Sequence, residues 1–226
     1  MKIIELKSTD STNEYCKRVD CGQDIIVIAE RQTGGKGTKG RSFSSEKGGL
    51  YISVMRHYKN FPAQNAFHIM VDACAAVCRT LEEMGITPVV RWANDVLVNG
   101  RKISGTLIEN SFSGGCITRS VVGIGINVNN NLPAALREIA TSVKEQTGKR
   151  QDIKNITRIF INNLQKSYTL EEYKSYINYF GKTVLLKELS GEKQVVALDI
   201  DGGGNLIVSD CGVTRTISAA EVSLRL

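Results

Sequence analysis

Two apolar periodicities alternate along the chain. Ile3-Ile4-Glu5-Leu6 and the unbroken run Ile25-Ile26-Val27-Ile28-Ala29 predict strands. Between them, Ser11-Thr12-Asn13-Glu14 has the spacing of a capping box and predicts a helix to about Val19. Tyr51 to Arg56 is the next strand. A long helix is predicted from Pro62 to about Met84, with Phe67, Met70, Val71, Cys74, Val77, Cys78 and Leu81 on one face. Pro88 to Trp92 and Asp95 to Val98 read as strands, followed by a hairpin turn at Asn99-Gly100. Two further strands, Lys102 to Ser111 and Ser120 to Asn127, flank the turn Gly114-Gly115. Helices are expected from Pro133 and over Ile153 to Tyr168.

Beyond Gly181 the segments shorten. Thr183 to Lys187, Gln194 to Ile200, Asn205 to Ser209, Val213 to Ile217 and Val222-Ser223-Leu224 predict strands. They are separated by turns at Ser190-Gly191-Glu192, Asp201 to Gly204 and Asp210-Cys211-Gly212. The expectation is a two-domain α/β (α+β) protein. Residues 1–180 would form a mixed β-sheet with flanking helices, and 181–226 a small all-β barrel packed against it.

Composition adds mostly exclusions. No apolar run approaches a membrane span, and the start Met1-Lys2-Ile3-Ile4-Glu5 lacks a secretory signal, so a cytoplasmic protein without a membrane partner is expected. The net charge of +6 suits an anionic ligand or an acidic protein partner, but no dense basic helix points to DNA. The six cysteines include no C-x-x-C pair, and His57 and His68 lie far from any ligand-type cluster; no metal site is expected.

The candidate chemistry lies in two places. Behind the strand at Ile25 comes Gln32-Thr33-Gly34-Gly35-Lys36-Gly37-Thr38-Lys39-Gly40-Arg41, a basic glycine-rich loop. Its glycines allow close backbone approach and converging N–H groups, and its cations suit a phosphate or carboxylate. Arg41 stands where a P-loop needs lysine. Gly35 to Gly40 spells G-x-G-x-x-G, but a strand follows instead of a helix, which disfavours a dinucleotide fold. Second, the hairpin Arg91-Trp92-Ala93-Asn94-Asp95 … Lys102-Ile103-Ser104-Gly105 sets a carboxylate and an ammonium on adjacent strands. It carries the only tryptophan and a glycine that permits close approach.

These blocks resemble the biotin–protein ligases of the short type, without an N-terminal DNA-binding domain. Asp10-Ser11-Thr12-Asn13 resembles the family's D-S-T-N, and Gln32 to Arg41 its G-R-G-R-x-G-R adenylate loop. Arg91 to Glu109 resembles K-W-P-N-D followed by K-x-x-G-I-L-x-E, and Val122 to Val128 resembles G-I-G-I-N-V. The order and spacing agree over essentially the whole chain. The resemblance implies a class II synthetase-like catalytic domain, an SH3-like C-terminal barrel and an ATP- and Mg²⁺-dependent ligase with biotin as substrate. Such an enzyme makes biotinyl-5′-AMP and transfers biotin to a lysine of the biotin carboxyl carrier domain of a carboxylase, working as a monomer or homodimer.

By the same resemblance, Lys102 and Asp95 are catalytic. The biotin or biotinyl-AMP site takes Ser11, Thr12, Asn13, Gln32, Gly35, Lys36, Gly37, Thr38, Arg41, Trp92, Asn94, Lys102, Gly105 and Asn127. Ser11, Thr12 and Gln32 would bond the ureido ring, Lys36 and Lys39 belong to the closing loop, and Asn127 lies on the nucleotide side. Lys36 and Thr38 stand where the family usually has arginine. Lys36 keeps the charge and Thr38 loses it, while Phe43 takes a position often filled by tryptophan and Ala93 that of proline. The alternatives are a lipoate or octanoate ligase of the related fold and a non-catalytic, biotin-responsive binding module.

Overall fold

The computed structural model describes residues 1–188, 191–219 and 223–225. The first part of the chain forms β1 (Lys2–Leu6), α1 (Thr12–Arg18), β2 (Ile25–Ala29), β3 (Leu50–Pro62), α2 (Ala66–Glu82), β4 (Val89–Arg91), β5 (Asp95–Val98), β6 (Arg101–Ser113) and β7 (Cys116–Ile126). These strands make one seven-stranded sheet in the order β1-β2-β3-β7-β6-β5-β4. Only β1 and β2 run parallel, so the sheet is mixed, as expected.

Strand alternation gives the sheet two different faces. Ile52, Val54, Val122, Ile124 and Ile126 point to one side, into a large apolar cluster with α2, whose Val71, Cys74, Ala75, Cys78 and Leu81 are fully buried. On the other side Cys16 of α1 meets Ile25, Val27, Met55 and Val121 in a smaller cluster. Beyond that cluster the same face carries two cross-strand rows in which Ser53, Gly105, Gly123 and Gly125 lack bulk. Tyr51 pairs with Gly125 and Gly125 with Gly105, while Ser53 pairs with Gly123 and Gly123 with Leu107. Small side chains here leave a depression in the sheet.

Several element boundaries differ from the sequence expectation. Pro62 ends β3 instead of opening a helix: Phe61 and Pro62 still pair with Ile117 and Cys116, and a 3₁₀ turn (Ala63–Asn65) intervenes before α2. Ser11 precedes α1 in extended conformation, but its side chain caps no backbone N–H. The expected capping box is therefore not formed, and a contribution of about 1 kcal/mol typical of such caps is forgone. A capping box does form at Thr169 and Glu172, heading α5 (Leu170–Ser175). The helix expected over Ile153 to Tyr168 is α4 and stops at Leu164 (Ile153–Leu164). From Pro133 only a single turn (Ala134–Leu136) and the short α3 (Val143–Thr147) form. The chain leaves helical geometry there because Ile139 and Thr141 bond the backbone of Lys102.

Among the described residues, β8 (Thr183–Glu188), β9 (Gly191–Ile200), β10 (Leu206–Asp210), β11 (Val213–Ile217) and β12 (Ser223–Arg225) form an antiparallel sheet in the order β11-β10-β9-β8-β12. Gly191 and Glu192, expected in a turn, already belong to β9. Ser190, Glu221 and Val222 lie outside the described residues. The inward residues Val184, Leu186, Val195, Ala197, Leu206 and Val208 belong to the same apolar cluster as α2. The small sheet is thus packed on the large one, as its size required.

Candidate active site

The depression on the small-residue face opens into a cleft. Its walls include Ser11, Thr12, Asn13, Gln32, Lys36, Gly37, Thr38, Asn94, Lys102 and Gly105. Ten of the positions singled out in the sequence therefore converge from four separate segments. Gly35, Arg41, Trp92, Asp95 and Asn127 are not part of this lining.

The floor consists of backbone. A Cβ on Gly105 would lie 2.8 Å from Lys102 Cε and Nζ, and one on Gly125 would lie 2.5 Å from the Phe43 ring. A Cβ on Gly123 would overlap Asn13 Oδ1 at 2.2 Å. These glycines make room for neighbouring side chains, as close approach within a strand requires.

Lys102 reaches the cleft because β6 carries one extra residue. Gly105 pairs with Asp95 and Ser104 with Val96, but Leu97 pairs with Lys102, leaving Ile103 unmatched. In a regular strand Lys102 and Gly105, three residues apart, would face opposite sides; the bulge returns Lys102 to the face of Asp95. Its ammonium then lies 2.5 Å from Asp95 Oδ1. Asp95 Oδ2 accepts from Arg91 Nη2 at 2.7 Å. The Asp95 side chain is 15% exposed and that of Lys102 29%. Both oxygens of the Asp95 carboxylate are thus engaged by cations, Oδ1 by the Lys102 ammonium and Oδ2 by Arg91. Lys102 also lies over the Phe43 ring, 5.7 Å from its centre. Asn94 is fixed beside this pair, its Nδ2 donating to Thr106 O at 2.9 Å.

The polar wall is a connected network. Gln32 Oε1 accepts from Thr12 N at 2.8 Å and from Thr12 Oγ1 at 3.0 Å, while Gln32 Nε2 donates to Ser45 Oγ at 2.8 Å. Ser53 Oγ sits 2.7 Å from Thr12 Oγ1 and 2.6 Å from Asn13 Oδ1. Asn13 Nδ2 donates to Glu109 Oε2 at 2.7 Å, and Lys17 holds Glu109 Oε1 at 2.6 Å. Ser11, relieved of capping, lines the cleft. Sequence reasoning gave no role to Ser53, Ser45 or Glu109. A serine inside the apolar strand Leu50 to Val54 was the signal for the first.

The glycine loop folds back on itself. Lys36 bridges to Ser42, Gly37 N donates to Arg41 O at 2.6 Å, and Lys39 adopts φ 57° within the turn Thr38–Gly40. Lys36 Nζ is 2.7 Å from Glu14 Oε1, and the two lysines beside Glu14, Lys36 foremost, hold its carboxyl below the usual range. Burial, with Arg41 nearby, lowers the pKa of Lys39. Arg41 itself is exposed.

Two expected residues lie deeper. Trp92, 4% exposed, donates from Nε1 to Gly204 O at 3.0 Å and so ties β4 to the C-terminal sheet. The Trp92–Ala93 peptide bond is cis. Asn127 is buried, its Oδ1 accepting from Asn130 Nδ2 at 3.0 Å. The described residues hold no group of three metal-ligand side chains, and Asp95, Glu14 and Glu109 are each paired with a cation. They offer no dedicated cage for Mg²⁺. Two cations in the lining, hydrogen-bonding groups along the wall and a carboxylate beside them are equipment for joining two anions and then admitting an amine.

The chain is similar to known proteins over most of its length. Residues 5–127 match the biotin/lipoate A/B protein ligase family, and 179–225 the biotin protein ligase C terminal domain. The bifunctional ligase/repressor BirA of Bacillus subtilis is 28% identical over 236 residues, covering 97% of this chain and 72% of that protein. The biotin–[acetyl-CoA-carboxylase] ligase of Paracoccus denitrificans is 27% identical over 243 residues, covering 96% and 98%. A structure of the Aquifex aeolicus biotin protein ligase in complex with biotin and ATP superposes with a TM-score of 0.79 at 29% identity, covering 99% of this chain and 98% of that one. With the cleft built from the segments that carried the resemblance, the chain belongs to the biotin/lipoate A/B protein ligase family.

Proposed function

We propose that the cleft is the active site of a biotin–protein ligase. The carrying observation is Lys102, turned by a bulge onto the glycine floor, paired there with Asp95 and sharing the cleft lining with Ser11, Thr12 and Gln32. In the first step a biotin carboxylate oxygen bonds to the α-phosphorus of ATP and the bond to pyrophosphate breaks. Lys102 offsets the repulsion between carboxylate and phosphate, aided by Lys36 from the loop. Ser11, Thr12 and Gln32 bind the ureido ring, and Asn13 braces that wall through Ser53 and Glu109. Gly35, Gly37 and Gly105 give the backbone its close approach, and Thr38 and Arg41 complete the loop. In the second step a carrier lysine attacks the acyl carbon, AMP departs, and the amine proton passes to Asp95, placed by Asn94. Trp92 supports that segment from beneath, and Asn127 contributes on the nucleotide side.

Mg²⁺ accompanies ATP on its phosphates in this reading, and no step is assigned to it. Residues 1–180 would carry the chemistry and 181–226 the second domain. The protein partner is the carrier domain of a biotin-dependent carboxylase. Both ATP and such a carrier are cytoplasmic reactants, which supports the cytoplasm as the compartment.

Incubation with biotin, MgATP and a carrier domain, followed by mass spectrometry, tests the reading: the carrier lysine should gain one biotinyl group. ATP–pyrophosphate exchange with biotin, lipoate and octanoate sets the specificity, and exchange with lipoate or octanoate alone would overturn the assignment.

A further inference from the structure

Ser11 and Glu14 have the spacing of a capping box and form none. The Glu14 carboxylate turns instead to the loop, where its Oε1 lies 2.7 Å from Lys36 Nζ and 3.0 Å from Lys17 Nζ. Lys17 in turn binds Glu109, which accepts from Asn13 in the cleft wall. The rim cation is thus joined through α1 to the floor of the site. Lys36 and Lys102 are the two cations of the cleft lining. They differ in restraint: Lys102 is held by Asp95 and its paired backbone, whereas the Lys36 side chain is 52% exposed and sits on a loop.

A long, exposed lysine loses rotamer freedom when it closes on an anion, and that loss weakens binding unless it occurs beforehand. An ammonium has three donors, so one bond to Glu14 leaves others for a ligand. Lys17 offsets the carboxylate's own repulsion of an incoming phosphate. We propose that Glu14 is a positioning residue for the glycine loop, holding the Lys36 ammonium at the cleft rim in readiness for the phosphate of the acyl-adenylate. The proposal rests on the ligase reading above.

Glu14→Gln keeps the side chain's length and removes its charge. The measurement is the rate at which preformed, labelled biotinyl-adenylate leaves the full-length chain, for Glu14→Gln, Lys36→Ala and the double variant. Loss should quicken about 2–5-fold in Glu14→Gln, the range expected for an exposed ion pair. The double variant should release no faster than Lys36→Ala alone, because Glu14 acts only through Lys36. A purely structural effect on α1 would add to that of Lys36→Ala and would overturn the proposal. Unchanged or slower release in Glu14→Gln would also overturn it, the slower case showing that Glu14 competes with the phosphate for Lys36. If Glu14→Gln does not fold, Glu14→Ala enters the same comparison. Failure of the unsubstituted chain to form any adenylate would overturn the ligase reading and this proposal together, whereas adenylate formed but insensitive to Glu14 overturns the proposal alone.

Discussion

Ile103 has no partner on β5, and that one unmatched residue decides where the ammonium of Lys102 points. Removing the ammonium with Lys102→Ala should lower ATP–pyrophosphate exchange by on the order of 10²-fold or more, as loss of other charge-stabilising groups does. Gly105→Ala tests the same geometry more gently. Its new Cβ would meet the flexible end of Lys102 at 2.8 Å and Asp95 Oδ1 at 3.4 Å, and push the ammonium off the carboxylate. Exchange should fall while the unfolding midpoint stays within a few degrees; unaltered exchange would mean that the observed Lys102–Asp95 contact is dispensable. Thr38 lines the cleft with a neutral hydroxyl, where the loop motif that this sequence resembles has arginine. Thr38→Arg should slow escape of biotinyl-AMP and reduce labelling of bystander proteins, read by streptavidin blot, and equal labelling would show that the lysines already suffice. The residues of this pair were legible in the sequence because their hairpin was. The bulge was not, since neither Gly nor Pro marks it and the apolar pattern runs through Ile103 unbroken.

At the scale of elements, strands read well because alternation and apolar runs are local. Starts and stops read poorly wherever a distant partner took the backbone. Pro62 looked like a helix opening, yet pairing of Phe61 with Ile117 keeps it in β3. Glu14 looked like half of a cap, yet two lysines claim it. The corner between β4 and β5 shows the same effect at the site. Tyr179 Oη accepts from Trp92 N at 2.9 Å, and Tyr173 Oη donates to Ala93 O at 2.7 Å, partners that lie 87 and 80 residues away. Trp92 was singled out by its rarity, but its deep anchorage could not be read without them. Gly204 completes the corner, with φ +83° and a missing Cβ that would lie 2.1 Å from the Phe67 ring. Gly212 has nearly the same φ, +85°, and open space. Gly212→Ala should therefore cost only the left-handed backbone penalty of about 1–2 kcal/mol. Gly204→Ala should cost that plus an overpacking term of about 1–3 kcal/mol. Urea unfolding of the two variants compares them directly, and equal losses would show that the Gly204–Phe67 contact relaxes freely.

Across the whole molecule a single apolar cluster runs from α2 into the C-terminal sheet. That burial sorts the cysteines. Cys16, Cys74 and Cys78 are buried, Cys116 is partly covered, and Cys21 and Cys211 are exposed. Burial pushes the thiols of Cys16 and Cys74 up to about 12. In the native protein at pH 8, Cys21 and Cys211 should react with a thiol reagent quickly, Cys116 slowly, and the other three only after denaturation. A raised folded-state pKa also means that their contribution to stability is complete below about pH 9 and declines as the pH climbs toward 12. Fast labelling of Cys74 would show that this cluster opens locally, and fast labelling of Cys16 that the smaller cluster under α1 does. The bond from Trp92 to Gly204 has a further consequence, in time instead of space. Its partners are 112 residues apart, so at ordinary synthesis rates Gly204 is added about 6–22 s after Trp92. Throughout that interval a growing chain possesses the Asp95–Lys102 hairpin without the carbonyl that anchors Trp92 beneath it. The anchored site is therefore a late product of translation, and a ribosome stalled before Gly204 holds a chain that cannot yet make it.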